Sequence, residues 1–446
     1  MLQYGTDNLL SPTQILQQLI RYNTTNPPGE ETECIQYIAD ILRRAGLEPI
    51  FRGKSPQRQN LIVRLEGSGE APPFLMYGHA DVVTADQQNW RYPPFEGAIG
   101  EGCIWGRGAL DMKGGLAMMV SALLMLKKNG VKPRGDIMLA VLCDEENGGV
   151  FGAKYLVEKH GELFRDIRYA IGEVGGFTFY IGTKRFYPVM ISEKQRCSLR
   201  AVIKGEGGHG SLPVKNGAMA KLGRLLWTLD QKWLPAHVTA PAKSMIEGIA
   251  EHMPFPGNAA LHLLLNSALT DKVLRLLGEK AAVFVPLLHH TVSATIIKGG
   301  SMINVIPSEV SVDLDGRLLP GYSPDDLLRE LKQLVKEDKE DNEDIDFEVT
   351  YYSPGPSRVD MGLFNTLADI LIESDPEALP IPYLNAGVTD ARFFCRLGIQ
   401  TYGFTPMLLS KEFSFSRMIH GVDERIPIEA LNFGTNAIYS LLGCMK

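Results

Sequence analysis

Apolar positions in the first third of the chain switch repeatedly between a helical and an extended period. Ser11 followed by Pro12 is an N-cap with proline in the first turn, and Ile15, Leu16, Leu19 and Ile20 then fall on one face. Ile35, Ile38, Ile41 and Leu42 make a second helical stripe that stops near Gly46. Strand-like runs follow at 60–65, 74–79 and 137–143, with a helix over 114–128. A helix around 152–159 and a short strand over 169–173 come next. Strands separated by helices predict an α/β unit on a mainly parallel sheet with helices on both faces.

The pattern then changes. A half-exposed strand over 197–204, a helix over 217–229, strands over 291–297 and 310–318, a helix over 325–335 and a strand over 346–352 follow in order. This β-α-β-β-α-β series predicts an α+β domain with a small antiparallel sheet and helices on one face. An additional proline-punctuated, helix-prone stretch occupies 232–290. The acidic and basic run over 336–346 reads as a solvated helix end and turn. From 355 the α/β pattern resumes, with a helix over 363–373, a strand near 401–404 and a last helix over 429–442. The economical division is a first domain made of 1–192 and 354–446, interrupted by a second domain over 193–353 with its helical extension near 232–290.

Composition adds limits. A chain of 446 residues exceeds one hydrophobic core, and 45% hydrophobic with 22% charged residues is ordinary for a soluble globular protein. A net charge of −7 with no Lys/Arg stripe argues against a nucleic-acid partner. No apolar run approaches the roughly 20 residues that span a bilayer, so no membrane partner is expected. The opening MLQYGTDNLLSPTQ has neither a basic start nor a long apolar segment, so a signal peptide is not expected. Six scattered cysteines without a CxxC pair suit free thiols in a reducing compartment, and the cytoplasm is the expected location.

The chemistry-bearing residues cluster at expected strand ends. His79 and Asp81 lie in MYGHADVV, Asp111 in GRGALDMKGG, Glu145 and Glu146 in LCDEENGG, and Glu173 in IGEVGG. In open α/β sheets ligands bind beyond the carboxyl ends of parallel strands. Carboxylates gathered at one such edge repel one another by several kcal/mol unless cations neutralise them. His79 and Asp81, two apart on an extended segment, suit a metal-bound imidazole fixed by a carboxylate on its other nitrogen. Adjacent Glu145 and Glu146 point differently, which suits one ligand and one free general base. GRGALDMKGG follows no clear strand and lacks the Lys-Ser/Thr of a P-loop, so a nucleotide loop is set aside.

These motifs, together with Trp90, Pro94, Phe95 and Gly97 of the WxxxPFEG segment, resemble the aminoacylase and carboxypeptidase family of co-catalytic zinc hydrolases. The family includes acetylornithine deacetylase, succinyl-diaminopimelate desuccinylase, glutamate carboxypeptidase and carboxypeptidase S. The resemblance spans nearly the whole chain, and the enlarged second domain is most similar to the carboxypeptidase S-like branch. It implies two Zn2+ per chain, with Co2+ or Mn2+ as substitutes. One zinc would be held by His79, Asp111 and Glu173, the other by Asp111, Glu146 and His420 of SRMIHGVDER, with Asp111 bridging. Glu145 would be the general base and Asp81 the carboxylate behind His79. The bond from Asp111 to Met112 would be cis.

The resemblance also implies a lid carrying His209 of KGEGGHGSLP, which would stabilise the oxyanion, in many members across a homodimer interface. Asn304 of GGSMINVIPSEV, Arg317 of LDGRLLPG, and Gly387 and Thr389 of NAGVTDARFF would orient the substrate carboxylate. Glu at position 173 is the family's choice in its deacylase and carboxypeptidase branches. The implied reaction is hydrolysis of an amide bond in an N-acyl amino acid or at a peptide C-terminus, by a zinc-bridging water whose proton Glu145 takes. An aminopeptidase or dipeptidase on the same scaffold is the alternative, and a non-catalytic binding protein the remoter one. The other histidines (His160, His237, His252, His262, His289, His290) match no motif and read as surface or packing residues.

Overall fold

The computed structural model describes residues 10–85, 89–336 and 344–444. Residues 1–9 and most of the charged run after Lys336 therefore lie outside the described residues. The chain divides into two compact units, one of residues 1–191, 359–383 and 389–446, the other of 192–358 and 384–388.

The first unit is built on a nine-stranded sheet. Its centre is parallel: Phe74–His79 lies between Ile137–Leu142 and Tyr169–Gly172, and Gln400–Gly403 pairs parallel with Tyr169–Gly172. Antiparallel strands flank it, with Arg58–Leu65 on Ile137–Leu142 and Lys184–Glu193 on Gln400–Gly403. Successive side chains of a strand face opposite ways, and here both ways lead into a core. Leu61, Val63, Met76 and Leu139 pack against helices Pro12–Arg21, Thr32–Arg44, Lys113–Lys128 and Ile428–Cys444. Ile62, Leu75, Tyr77, Met138 and Ala140 face Ala153–His160 and Phe393–Phe394 on the other side. Helix Lys113–Lys128 is buried nearly all round, as a helix laid across a sheet and covered by the terminal helix must be.

Two strands run through prolines that obscure them in the sequence. Lys184–Glu193 carries Pro188, and Ala378–Asn385, which ends the sheet beyond it, carries Pro380 and Pro382. Proline removes a ladder donor, and an edge strand tolerates that best.

The second unit holds a four-stranded antiparallel sheet in the order Thr291–Gly299, Glu309–Leu318, Gln195–Lys204, Ile345–Ser353. Only one face is covered. Cys197, Leu199, Ala201 and Ile203 alternate inward with Val310, Val312 and Leu314, under Leu222 and Leu225 of helix Ala218–Gln231 and Leu327 and Leu331 of helix Pro324–Lys336. The extra stretch folds as short helices, Ala240–Ala250, Gly257–Leu264, Thr270–Leu277 and Val285–Leu288, joined by a 3-10 turn. Its two ends meet. Ala236 bridges antiparallel to His289, and the His237 N–H donates to the Leu288 carbonyl at 2.7 Å.

Candidate metal centre

His79 is the last residue of its strand, Glu173 follows the end of Tyr169–Gly172, and Glu145 and Glu146 sit on the 3-10 turn after Ile137–Leu142. Since these three strands are parallel neighbours, their carboxyl ends deliver all four side chains to one edge. Asp111 arrives by another route. A three-residue strand, Cys103–Trp105, precedes its loop and pairs with Ala98–Gly100 and Arg425–Pro427, so the loop does follow a strand after all. The Asp111–Met112 bond is cis, and Met112 caps helix Lys113–Lys128.

The ligand-type atoms fall into two groups that share one residue. His79, Asp111 and Glu173 form one, Asp111, Glu146 and His420 the other, and within each the atoms lie within 4.8 Å of one another. His79 Nε2 is 3.1 Å from Asp111 Oδ1 and 3.4 Å from Glu173 Oε2. His420 Nε2 is 3.2 Å from Asp111 Oδ2 and 3.3 Å from Glu146 Oε1. Glu145 belongs to neither group.

The charge balance asks for cations. Burial pushes Glu145 well above the usual carboxylate value and raises Glu146 and Glu173 as well. Burial disfavours charge on His79 too, yet its hydrogen bonds with Asp111, Asp81 and Glu173 hold the ring well above its ordinary value. Asp111 and Glu146 together raise His420 to about 10. Carboxylates this crowded and this dry hold any positive charge offered to them, and a mixed imidazole–carboxylate set suits a divalent transition metal. The residues present therefore fit a dinuclear centre.

The support behind His79 differs in one respect from the sequence expectation. His79 Nδ1 lies 2.9 Å from the Asp81 backbone carbonyl and 3.6 Å from the Asp81 carboxylate. A carbonyl only accepts, so Nδ1 carries a hydrogen, and Nε2 is the nitrogen that can offer a lone pair to a metal. The Asp81 carboxylate also holds the next loop: the Glu145 and Glu146 N–H groups donate to its two oxygens, each at 3.1 Å. A second buried carboxylate clamps Asp111 in the same way. Glu424 accepts from Leu110 N–H (2.8 Å) and Asp111 N–H (3.2 Å), and Arg107 neutralises it at 2.7 Å. Backbone strain collects here as well, since Asp144, Val174 and His420 all have positive φ, of 72°, 63° and 57°.

Several of these supports went unread in the sequence. Glu424 stood inside a motif singled out for its histidine, and Asp390 and Arg392 inside one singled out for Gly387 and Thr389. Arg392 lies 4.0 Å from Glu145 Oε1, and burial raises Asp390 to about 7. Thr389 is buried in the first unit, where its hydroxyl accepts the Ala391 N–H at 3.1 Å.

The remaining expected site residues belong to the second unit. His209 is exposed on a two-residue strand paired with Val305–Ile306, and its Nδ1 lies 2.8 Å from the Ser211 hydroxyl. Asn304 is next to that ribbon, where its carbonyl accepts the Gly210 N–H at 2.8 Å. Arg317 makes a two-pronged bond with Asp315, at 3.0 and 2.9 Å. The Gly387 N–H donates to Asn385 Oδ1 at 3.1 Å.

A third histidine–carboxylate group, His237, His290 and Glu330, also has its ligand-type atoms within 4.8 Å. His237 Nε2 is 2.7 Å from Glu330 Oε1, and His290 Nε2 is 3.9 Å from the same oxygen. His290 Nδ1 accepts the Leu319 N–H at 3.0 Å, which leaves the ring hydrogen on Nε2, the atom a metal would require. Burial lowers His290 to about 3, so the ring stays neutral. Tyr322 packs on both imidazoles. This is a packing cluster.

Parallel strands that deliver imidazole and carboxylates to one edge, around a shared aspartate, define a metal-dependent hydrolase fold. Residues 75–443 match the peptidase family M20/M25/M40, and the chain belongs to that family and is a hydrolase acting on amide or peptide bonds. It is 28% identical over 454 residues to the N-fatty-acyl-amino acid synthase/hydrolase of Bos taurus, covering 99% of this chain and 89% of that one. It is 27% identical over 448 residues to the probable carboxypeptidase S-like 2 of Dictyostelium discoideum, covering 94% and 83%. Its fold is similar to that of an M20 family metallo-carboxypeptidase from Sulfolobus solfataricus, with a TM-score of 0.70 and 17% identity over 97% of this chain and 99% of that one.

Proposed function

We propose that the chain is a two-zinc hydrolase that removes the acyl group from an amino acid with a free carboxylate, or releases a C-terminal residue from a peptide. One observation carries this reading: Asp111 belongs to both ligand-type groups while Glu145, beside them, belongs to neither. His79, Asp111 and Glu173 would hold one ion, and Asp111, Glu146 and His420 the other. Bound there, divalent cations supply Lewis acidity that polarises a carbonyl and acidifies water. Glu145, pushed up by its burial, accepts a proton from the attacking water and delivers it to the leaving nitrogen. Asp81 and Glu424 keep the ligand loops in register through their backbone amides. His209 donates to the developing oxyanion, and Asn304, Arg317, Gly387 and Thr389 orient the carboxylate end, Arg317 exchanging Asp315 for it.

In this reading residues 1–192 and 354–446 form the catalytic domain and 193–353 the lid. The enzyme pairs with a second copy through the lid, where Trp227 is 66% and Ile297 56% exposed, the latter on the sheet's edge strand. It works in the cytoplasm, a location supported by six cysteines that form no disulfide. Assaying zinc-loaded protein on N-acetyl, N-succinyl and N-fatty-acyl amino acids beside free dipeptides tests the substrate class. Turnover of free dipeptides alone would sink it.

A further inference from the structure

Asn26 follows the first helix, far in sequence from every ligand-type residue, and it is 5% exposed. Its side-chain amide spends one N–H on Asp81 Oδ2 at 2.8 Å and the other on Asp144 Oδ1 at 3.1 Å. Both recipients hold the same turn. Asp81 takes the Glu145 and Glu146 N–H groups, while Asp144, with φ 72°, takes the Phe151 N–H at 3.0 Å through its other oxygen. The two carboxylates are buried, at 0% and 1% exposure. Arg58 also meets Asp144 Oδ1 at 3.0 Å, but it is shared with Glu31, which it grips with Nε at 3.1 Å and with a second nitrogen. Two carboxylates, Glu31 and Asp144, thus share one guanidinium, and the group that stands between Asp81 and Asp144 is a neutral amide with two hydrogens.

We infer that Asn26 is a positioning residue for catalysis: by bridging Asp81 and Asp144 it fixes the turn that aims Glu145 and Glu146. It touches neither substrate nor metal. The inference rests on the proposed roles of those two glutamates. A donor pair is what the place demands. Alanine removes both bonds, serine keeps a single donor, and aspartate keeps the shape while adding a third negative charge between two others.

The test measures kcat, KM and amide hydrogen exchange of Asn26→Ala, Asn26→Ser and Asn26→Asp, with Glu145→Gln alongside. Supports behind a metal site are typically worth about 10- to 100-fold, so kcat should fall by that factor in Asn26→Ala with KM within about two-fold. Asn26→Ser should lie between it and the parent, and Asn26→Asp should be the worst of the three despite its shape. In metal-free protein the 144–152 peptide should exchange faster in Asn26→Ala, while the peptide of helix Lys113–Lys128 keeps its parental rate. Should Asn26→Ala fail to fold, the order of Asn26→Ser against the parent in kcat and in 144–152 exchange decides the matter. Parental kcat in Asn26→Ala or Asn26→Ser, or an Asn26→Asp as active as the parent, overturns the inference. Full activity in Glu145→Gln would overturn the underlying reading instead, whatever the Asn26 variants do.

Discussion

His79 turns its Nδ1 hydrogen to a carbonyl oxygen, and His290 turns its Nδ1 lone pair to an amide N–H. Both rings are buried, both lie near a second histidine and a glutamate, and both belong to a group compact enough to hold an ion. The atom behind each ring decides the outcome. A carbonyl leaves Nε2 free to coordinate, while an amide fixes a hydrogen there. The charge ratio points the same way. Around His79 and His420 stand Asp111, Glu146 and Glu173, and both rings are raised; around His237 and His290 stands Glu330, and His290 is lowered to about 3. Residue type and closeness alone do not make a metal site. The hydrogen bond on the far side of the imidazole decides which ring nitrogen can offer a lone pair.

The largest expected effect lies in the first group. Glu145→Gln should lower kcat by about 10²–10⁴ while metal content, read by elemental analysis, stays at the parental level. A metal count reduced by half would mean that Glu145 and Glu146 have exchanged roles. His209→Ala should lower kcat and kcat/KM together by about 10²–10³ and leave the metals in place, as loss of one oxyanion donor does. Unchanged rates would return His209 to an ordinary turn residue.

The second group should answer in stability alone. His290→Leu leaves the Leu319 N–H without its acceptor and should cost about 1–3 kcal/mol in urea unfolding, with metal content and kcat unchanged. A lost metal ion would break the comparison. The smallest effect is a pH slope. His290 is pushed down to about 3 in the folded chain, whereas an unfolded histidine titrates near pH 6.5. Below that pH the unfolded chain binds a proton that the folded one refuses, so stability present at neutral pH is lost on acidification. Between pH 6.5 and 5.5 the parent should lose about 1 kcal/mol relative to His290→Leu. Parallel stability curves for the two would show that His290 is not held neutral.

Much of this was legible in the chain itself. Phe74–His79 and the helix after Asp111 were readable from periodicity, because burial on a sheet and across it imposes simple repeats. The carboxylates at the strand ends were readable for the same reason: once the strands are placed, their ends are placed. Lys184–Glu193 and Ala378–Asn385 were not, since their prolines mimic turns. His420 was reached only through family resemblance, because a left-handed residue outside regular structure leaves no periodic trace. The Asp81 carboxylate stands 3.6 Å behind His79, but the shorter contact, from the Asp81 backbone carbonyl, was not foreseen. Side-chain alternation predicts direction, but it does not tell a carboxylate from the backbone carbonyl of the same residue. Asn26 meets a carboxylate, and Glu424 a backbone amide, more than fifty residues away, and no local pattern announces that.

The helical stretch between helix Ala218–Gln231 and strand Thr291–Gly299 departs and returns at one place, where Ala236 meets His289. Lys194 pins the return, donating to the His289 carbonyl at 2.9 Å and to the Thr291 hydroxyl at 3.1 Å. Such a joint makes length a free variable. Each doubling of the chain between two fixed points adds only about 0.6 kcal/mol to the cost of closure. Lineages can lengthen, trim or replace this segment without renegotiating the sheet beneath it, and a protein engineer has a ready socket for exchange whose rim is already hydrogen-bonded shut.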